Sequence, residues 1–305
     1  MKRVLVTGAA GWIGRYTLPL LVARGYEVHA ISTKPSTQPD TNVRWHQADL
    51  LDGSRANTLL ATIRPTHLLH LAWCTAPGTY WTSPENFRWV RASLALLESF
   101  AAHGGERVVT AGTCAEYDWD FGYCTESRTP LAPTTVYGIC KNALRALTAS
   151  FAATNNLSHA WGRLFFLYGP HEHRARLVPS IINALLRDEP ARCTHGNQVR
   201  DYLFIADAAA AFIALLDSGV TGAVNIASGQ PVAIKEIVSV IAEMMDRRDL
   251  LRLGAIPAPT NEPPLLLADV HRLYGEVGWV QERDLRQGLA GTIYWWQQSH
   301  GKKMQ

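Results

Sequence analysis

The chain has 305 residues, of which 47% are hydrophobic and 18% charged, and its formal net charge is +3. This is the balance of a globular protein with a sizeable core, and the small charge argues against a nucleic-acid-binding surface. The five cysteines show no C-x-x-C spacing, and no apolar stretch is long enough to span a bilayer, so we expect a protein of the reducing cytoplasm without membrane segments.

The first half of the chain alternates short aliphatic or β-branched runs with longer helical patterns, as in a parallel sheet covered by helices. The predicted strands are residues 3–7, 27–32, 43–47, 67–71, 107–111 and 159–164, and the clearest helices between them are 13–24 and 89–103. Each connection is long enough for a right-handed crossover. We therefore predict an α/β fold with a Rossmann-like, doubly wound parallel sheet.

After residue 164 the alternation loosens. Residues 168–176 and the proline-rich stretch 254–264 read as loops near a site or a lobe boundary. A strand at 223–227 could rejoin the sheet, and 234–245 and 285–298 have helical patterns. We predict a dinucleotide-binding domain made of residues 1–165 and a returning segment at about 198–228, and a smaller substrate lobe made of 166–197 and 229–305.

The first predicted strand runs into a turn in which Gly8, Gly11 and Gly14 have the spacing G-x-x-G-x-x-G, and a helix follows. Glycine lets the backbone turn tightly and approach a pyrophosphate at the N-terminus of the next helix. Glycines are also common in ordinary turns, but the order strand, turn, helix favours dinucleotide binding. Trp12 and Ile13 belong to the same predicted cofactor-binding turn.

The end of the second strand distinguishes NAD from NADP, because an acidic residue there would hydrogen-bond the adenosine ribose of NAD. Residues 31–34 are I-S-T-K, without a carboxylate. Ser32, Thr33 and Lys34, together with Arg15, could hold a 2′-phosphate through hydroxyls and cations. NADP is therefore favoured and NAD is the alternative, since Lys34 could also be an ordinary solvated lysine.

The end of the third strand supplies another candidate. Asp49 and its neighbour Leu50 could contact adenine, although an acidic helix cap is the competing interpretation of Asp49.

Tyr137 and Lys141 are four residues apart, so a helix would place them one turn apart on one face. An unperturbed tyrosine ionises near pH ~10, so a phenolate at neutrality needs roughly 4 kcal/mol of preferential stabilisation. A buried ammonium and a positively charged nicotinamide could supply it together. Y-x-x-x-K occurs often by chance, but here it follows a strand whose extension presents Thr113 at the ligand-binding edge of the sheet. We predict that Thr113 donates to a substrate oxygen while Tyr137 transfers the proton.

Together these segments resemble the extended short-chain dehydrogenase/reductases that act on nucleotide sugars. The resemblance covers almost the whole chain. It includes T-G-x-x-G-x-x-G at 7–14, H-L-A at 70–72, Thr113, Y-x-x-x-K at 137–141, Y-G-P at 168–170, R-D-Y at 200–202 followed by Asp207, and N-I-A-S-G at 225–229.

The resemblance implies roles for several of these residues. Leu71, Ala72 and Trp73 would line the cofactor, Lys141 would also bind the nicotinamide ribose, and Arg200 would contact the substrate diphosphate. A guanidinium suits that last role, although Arg200 could instead pair with Asp201 or another loop carboxylate. Homodimers formed through two helices are common among such proteins, and residues 89–103 and 137–153 are the candidate helices, although a helix face buried within the monomer would show the same pattern.

The sequence also departs from the family. Phe166 stands at a substrate-binding position where the family often has asparagine, so the polar contacts of that amide are not expected. Thr113 is followed by Cys114, Ala115 and Glu116 rather than by the Asp-Glu pair of dehydratases. A thiol and a methyl group cannot act as acid and base there, so dehydration is disfavoured unless Glu116 is reoriented.

Two further groups of side chains have competing interpretations. The aromatic residues Trp73, Tyr80 and Trp81 could stack on a base or simply pack. The histidines at 171 and 173 beside Glu172 could suggest a metal site, but a polar substrate loop is favoured and no metal is expected.

Epimerases of the family usually retain NAD, whereas reductases consume NADPH. The favoured function is therefore an NADP-dependent reductase that transfers hydride to C4 of a nucleotide-linked keto-deoxysugar, with Tyr137 as proton donor. An NAD-dependent nucleotide-sugar epimerase is the alternative, and a non-catalytic dinucleotide-binding sensor or scaffold is the third possibility.

Overall fold

The computed structural model describes residues 2–34, 42–260 and 262–301. Its strands are β1 (Arg3–Thr7), β2 (Glu27–Ser32), β3 (Val43–Gln47), β4 (His67–His70), β5 (Arg107–Thr113), β6 (Tyr123–Cys124), β7 (Ser158–Leu164), β8 (Phe166–Tyr168), β9 (Ala191–Arg192), β10 (Val199–Phe204), β11 (Gly222–Ile226), β12 (Pro231–Ala233), β13 (Leu251–Arg252) and β14 (Leu265–Ala268). Its α-helices are α1 (Gly14–Ala23), α2 (Gly53–Ile63), α3 (Glu85–Ala102), α4 (Val136–Thr154), α5 (Leu177–Leu186), α6 (Ile205–Asp217), α7 (Ile234–Met244) and α8 (Leu285–Gly301).

The main sheet has seven parallel strands in the order β11-β7-β5-β4-β1-β2-β3. Its central strands are buried on both faces, since α1 and α6 pack against one face and α2, α3 and part of α4 against the other. The direction of winding reverses between β1 and β4, which places the carboxyl ends of these two strands side by side. The expectation of a Rossmann-like, doubly wound α/β sheet is confirmed.

A smaller sheet, β12-β10-β14-β6 with β8 beside β10, packs with α5, α7 and α8 around a second core. Within the predicted returning segment, β11 joins the main sheet and α6 covers it, whereas β10 lies in the smaller sheet. The strand β6, from the first half of the chain, also joins the smaller sheet. The two parts are thus interleaved along the sequence, and their separation into domains stays a prediction.

None of the helices in the described parts of the chain is both long enough and apolar enough to cross a membrane.

Candidate active site

The glycine-rich turn between β1 and α1 is closely packed against backbone. Gly8 has a φ of +67°, and a Cβ atom there would lie 2.8 Å from the amide nitrogen of Ala72. A Cβ on Gly14 would lie 2.2 Å from the carbonyl oxygen of Gly8, which also accepts a hydrogen bond of 2.9 Å from the Gly11 amide. Side chains at positions 8 and 14 would push apart the turn, the segment after β4 and the start of α1.

A buried chain of polar side chains fixes this turn to its neighbours. The hydroxyl of Thr7 lies 2.7 Å from Nδ1 of His70, whose Nε2 lies 2.8 Å from the hydroxyl of Ser93 on α3. The Ala72 amide donates to the same Thr7 hydroxyl at 3.3 Å. Burial lowers the pKa of His70 to about 3, so the imidazole is neutral and connects the two hydroxyls.

A cavity of about 490 Å³ opens over the turn, at the carboxyl end of the first strands. The predicted cofactor residues that line it are Gly8, Gly11, Ser32, Thr33, Lys34, Leu50, Ala72 and Trp73, and Arg15 is beside them. Residues that the sequence did not single out also line it, namely Ala10, Ile31, Trp45, Ala48 and Trp89.

The other predicted cofactor residues lie around this cavity rather than on its wall: Trp12, Ile13, Gly14, Asp49, Leu71, Tyr137 and Lys141. Trp12 donates from its indole to the carbonyl of Pro170 at 2.7 Å. The carboxylate of Asp49 accepts a hydrogen bond of 2.9 Å from the Leu51 amide, a local turn contact, and the N-cap residue of α2 is Asp52 instead.

The residues of this cavity fit a nicotinamide dinucleotide. Its volume lies within the range of roughly 300–1,000 Å³ of ligand sites. Three buried donors that line it, Nε of Arg15 and Nε1 of Trp45 and Trp89, have no hydrogen-bond partner in the described parts of the chain. A ligand rich in phosphate and ribose oxygens would supply the acceptors that these donors lack.

The proton-transfer residues meet beside this cavity. The hydroxyl of Thr135 caps α4 by accepting from the Gly138 amide at 3.1 Å, so the helix begins at the carboxyl edge of the sheet. Tyr137 and Lys141 lie on its inner face and are 8% and 4% exposed. The ammonium of Lys141 donates to the carbonyl of Ala111 at 2.9 Å.

Thr113 completes this group from the end of β5, where its side chain lies near enough to the phenol of Tyr137 to lower the pKa of that group. Trp73 joins the group to the cofactor cavity, because its ring lies on the cavity wall and its centroid is 3.8 Å from the Lys141 ammonium. The structure therefore brings together the three residues that the sequence proposed for catalysis.

Burial dominates the electrostatics of this group. It raises the pKa of Tyr137, and the neighbouring Thr113 side chain opposes this effect only in part. It lowers the pKa of Lys141 to about 7, which the nearby charge of Glu116 partly opposes. The chain alone therefore does not give Tyr137 the lowered pKa that proton abstraction at neutrality needs, and bound cofactor and substrate would have to supply the rest.

An aromatic cover lies over Tyr137. The ring centroids of Trp73, Tyr80 and Trp81 are 6.5, 5.0 and 5.6 Å from that of Tyr137, in edge-to-face arrangements. Asn86 fixes this cover, since it accepts from the Trp73 indole and donates to the Tyr80 carbonyl, both at 2.8 Å. The three aromatic residues considered for base stacking thus pack around the candidate catalytic tyrosine.

Glu116 belongs to a different, fully buried network. Its Oε1 accepts from the Thr113 amide at 2.9 Å and from the Trp161 indole at 2.8 Å, and its Oε2 accepts from Nε of Arg163 at 2.8 Å. Glu116 is 0% and Arg163 1% exposed. These three hydrogen bonds hold the carboxylate inside the protein. Glu116 is therefore not reoriented towards a substrate, as dehydration would require.

The predicted substrate residues Phe166 and Arg200 are neighbours, with the guanidinium carbon 5.6 Å from the phenyl centroid. Arg200 is buried and forms an ion pair of 3.0 Å with Glu262. Asp201 has other partners, the amides of Ser228 and Gly229 among them. Of the interpretations considered for Arg200, this structure shows the pairing with a loop carboxylate.

In the described parts of the chain, no group of three or more His, Cys, Asp or Glu side chains is placed to hold a metal ion.

Comparison with known proteins adds four findings to this geometry. The model of the NAD dependent epimerase/dehydratase family matches residues 4–227. The chain is 27% identical over 314 residues to UDP-glucose 4-epimerase of Rhizobium meliloti (strain 1021), across 93% of this chain and 94% of that protein. It is 24% identical over 322 residues to dTDP-D-glucose 4,6-dehydratase of Homo sapiens, across 98% and 91% of the two chains.

Among solved structures, MoeE5 in complex with UDP-glucuronic acid and NAD matches with a TM-score of 0.83 and 31% identity. The match covers 97% of this chain and 99% of that one.

Proposed function

Because the chain belongs to the NAD-dependent epimerase/dehydratase family, we propose that it oxidises and re-reduces C4 of a nucleotide-linked hexose and so interconverts two C4 epimers. One observation carries the proposal: Thr113, Tyr137 and Lys141 lie together at the carboxyl edge of the main sheet, beside a cavity that fits a dinucleotide. Ligands of open α/β sheets bind at this edge.

The roles of the residues follow from their contacts. A nicotinamide cofactor would supply the acceptor and donor of hydride. Tyr137 takes the proton from the sugar hydroxyl and returns it, while Thr113 holds the same oxygen. Lys141 adds a positive charge that stabilises the phenolate. General acid–base catalysis of this kind is worth roughly 100- to 10,000-fold in rate.

The region after Thr113 argues against dehydration. All the hydrogen bonds of the Glu116 carboxylate are made within the protein, and Ala115 has no ionisable group. Burial raises the pKa of the Cys114 thiol, which keeps it protonated. None of the described residues 114–116 therefore presents a base that could remove a proton from a sugar carbon.

The relatives suggest the class of substrate. UDP-glucuronic acid is bound by the 31%-identical MoeE5, and the names of the other two relatives specify UDP-glucose and dTDP-D-glucose. We propose a nucleoside-diphosphate hexose, with UDP-glucose and UDP-glucuronic acid as the first compounds to test.

The second candidate function is NADPH-dependent reduction of a nucleotide-linked 4-keto-deoxysugar. It is favoured by the end of β2, where Ser32, Thr33 and Lys34 line the cofactor cavity together with Arg15. Neither cation forms an ion pair with a carboxylate among residues 2–34, 42–260 and 262–301. Both remain available for a 2′-phosphate.

Product analysis separates these candidates. Purified protein is incubated with UDP-glucose, UDP-glucuronic acid, dTDP-glucose or a nucleotide-4-keto-6-deoxyhexose, and sugars are followed by NMR and reduced cofactor by absorbance. Interconversion of two non-keto sugars without net change of cofactor establishes the epimerase. Loss of one NADPH per keto sugar establishes the reductase. Formation of a 4-keto-6-deoxy sugar from a hexose would refute both and indicate a dehydratase, and cofactor binding without turnover would favour a sensor.

We also propose a homodimer formed through α3 and α4, which pack side by side. Three large apolar side chains on these helices are exposed, Phe87, Ile139 and Leu147, at 57%, 49% and 48%. A second copy would cover them. Light scattering should give twice the mass of the chain, and Leu147→Glu should shift it to the monomer.

A further inference from the structure

A second cavity, of about 530 Å³, lies away from Tyr137, between the first turn of α1, the loop after β8 and the C-terminal half of α8. Arg15 forms part of its wall and also part of the wall of the cofactor cavity. The proposed C4 chemistry makes no use of the residues on the loop and on α8.

The wall of this cavity is rich in donors without acceptors. Arg15 and Arg174 form no ion pair within the described parts of the chain. Other arginines there do pair with carboxylates, among them Arg24, Arg163 and Arg200. Nε of Arg15 and Nε1 of Trp296 are buried and have no hydrogen-bond partner there. Buried donors of this kind are rare in folded proteins, and a ligand that carries acceptors would satisfy them.

The single carboxyl group on the described wall does not cancel these cations. Glu172 is 7% exposed, and its Oε2 has no partner in the described parts of the chain. Burial raises the pKa of Glu172 to about 8, against the opposing effect of the Arg176 charge. A protonated carboxyl group is able to donate a hydrogen bond to a ligand and does not repel an anion, so the wall favours an anion.

Aromatic rings form the other side of this second cavity. Trp295 and Trp296 are perpendicular, with centroids 4.8 Å apart, and the ring of His171 lies 4.3 Å from that of Trp295. His171 has a φ of +65°, a backbone conformation uncommon for any residue other than glycine. The guanidinium of Arg174 lies 5.5 Å from the Trp296 centroid. Flat rings beside two arginines suit a ligand that is aromatic at one end and anionic at the other.

We propose that this cavity is a second ligand site for a nucleoside monophosphate, with its phosphate between Arg15 and Arg174 and its base against Trp295. Because Arg15 also faces the cofactor cavity, the ligand competes for one guanidinium with a cofactor that carries a 2′-phosphate. Coupling between two sites is reciprocal, so the nucleotide weakens NADPH binding by the same factor by which NADPH weakens nucleotide binding.

Calorimetry with UMP on NAD-saturated protein tests the site. A hydrogen bond to a charged group is worth about 1.5–3 kcal/mol, so Arg174→Gln should weaken UMP binding roughly 10- to 100-fold. Trp295→Leu should also weaken it, and inorganic phosphate or uridine alone should bind less tightly than UMP. The control is Arg286→Gln, which changes an arginine of α8, the helix that carries Trp295, at a position outside the cavity wall where the guanidinium pairs with Glu243. Equal UMP affinity in the wild type and in both cavity variants would overturn the proposal and assign the binding to the substrate site.

The coupling has its own measurement. In the wild type, saturating UMP should weaken NADPH binding more than NADH binding, and Arg174→Gln should abolish that difference. An unchanged ratio of the two affinities on adding UMP would contradict the sharing of Arg15. These binding measurements are independent of turnover, so their failure would leave the NMR result on the sugars, and with it the proposed epimerase, untouched.

Discussion

Two buried polar clusters lie on either side of Thr113 and differ in how they are satisfied. In the first, Glu116 and Arg163 form an ion pair of 2.8 Å, and the carboxylate takes two further hydrogen bonds. In the second, the Lys141 ammonium donates to a backbone carbonyl and lies over the face of an indole ring, and the Tyr137 phenol lies beside the Thr113 side chain. Both are almost inaccessible to solvent, but only the first has opposite charges in contact.

This difference indicates that the cluster of Glu116 and Arg163 stabilises the fold and that the cluster of Tyr137 and Lys141 acts on the substrate. Breaking a buried ion pair whose hydrogen bonds are all satisfied costs several kcal/mol of folding free energy, roughly 3–5 kcal/mol, and such a pair has no group free to act on a substrate. A buried ammonium without a carboxylate partner is destabilising by itself, and strongly perturbed groups of this kind gather at functional sites. Four predictions test this difference, in order of decreasing expected effect.

Replacement of Tyr137 by phenylalanine should lower turnover by roughly 100- to 10,000-fold, because only the hydroxyl that exchanges the proton is lost. Affinity for the cofactor, measured by fluorescence titration, should stay within a few-fold of the wild type. Tyr294→Phe, at a tyrosine that is 64% exposed, is the matched control and should keep full activity. Turnover of Tyr137→Phe within a few-fold of the wild type would show that another group carries the proton.

Glu116→Gln should instead lower the free energy of unfolding by about 3–5 kcal/mol, because it leaves the buried Arg163 guanidinium facing an amide. Urea denaturation measures the change. Glu98→Gln, at an exposed position on α3, should alter stability by less than about 0.5 kcal/mol. A stable Glu116→Gln protein that has lost all turnover would mean that this carboxylate acts in catalysis.

Lys141→Met should abolish most turnover yet stabilise the fold at low pH. The folded-state pKa of Lys141 is about 7 and the ordinary value is 10.5, so between these values the unfolded chain binds more protons. The burial penalty is therefore fully present below pH ~7 and is relieved as pH rises towards the ordinary value. We expect a gain of about 1–3 kcal/mol at pH ~6 that shrinks by pH ~9, as measured by thermal unfolding. Equal stability of both proteins across this range would show that the ammonium is not strained by burial.

Thr33→Asp extends the contrast to the adenosine end of the cofactor cavity, where Arg15 and Lys34 lack carboxylate partners in the described parts of the chain. A carboxylate there should repel a 2′-phosphate and weaken NADPH about 10-fold, while NADH binds as before. Tighter binding of NADPH than of NADH by the wild type would favour the second candidate function, the reductase. Thr221→Asp, far from the cavity, is the control for added charge. Tighter NADH binding by the wild type would remove the main support for the reductase.

The sequence was sufficient for most of the main sheet because its central strands are buried on both faces and are rich in apolar residues. Residues 3–7, 27–32 and 43–47 are strands β1 to β3 as predicted. The prediction gave no bounds for α2, α5 and α6, and began α3 four residues late, at 89 rather than at Glu85. The short strands β6, β8 and β14 were missed as well, because two to four residues carry no periodicity of their own.

The candidate site was predictable where chemistry depends on local spacing, and not where it depends on tertiary contacts. The four-residue interval between Tyr137 and Lys141 implied one helix face, which the structure shows. No local pattern could show that Glu262 reaches Arg200, 62 residues away, or that Trp45 and Trp89 line the cofactor cavity. A tryptophan in a strand or a helix most often packs in a core, so its presence in the sequence does not indicate a ligand-binding site.

The mass of the product formed in heavy water tests most directly the claim that this site transfers hydride and does not remove protons from carbon. The protein is incubated with UDP-glucose or UDP-glucuronic acid in D₂O, and the sugars are analysed by mass spectrometry and NMR. The account predicts C4 epimers without deuterium on any carbon, since the hydrogen of C4 leaves and returns within the site and only the hydroxyl proton passes through Tyr137. Deuterium bound to a carbon of the product would contradict it, because a base in the site would then have exchanged a carbon-bound proton with solvent.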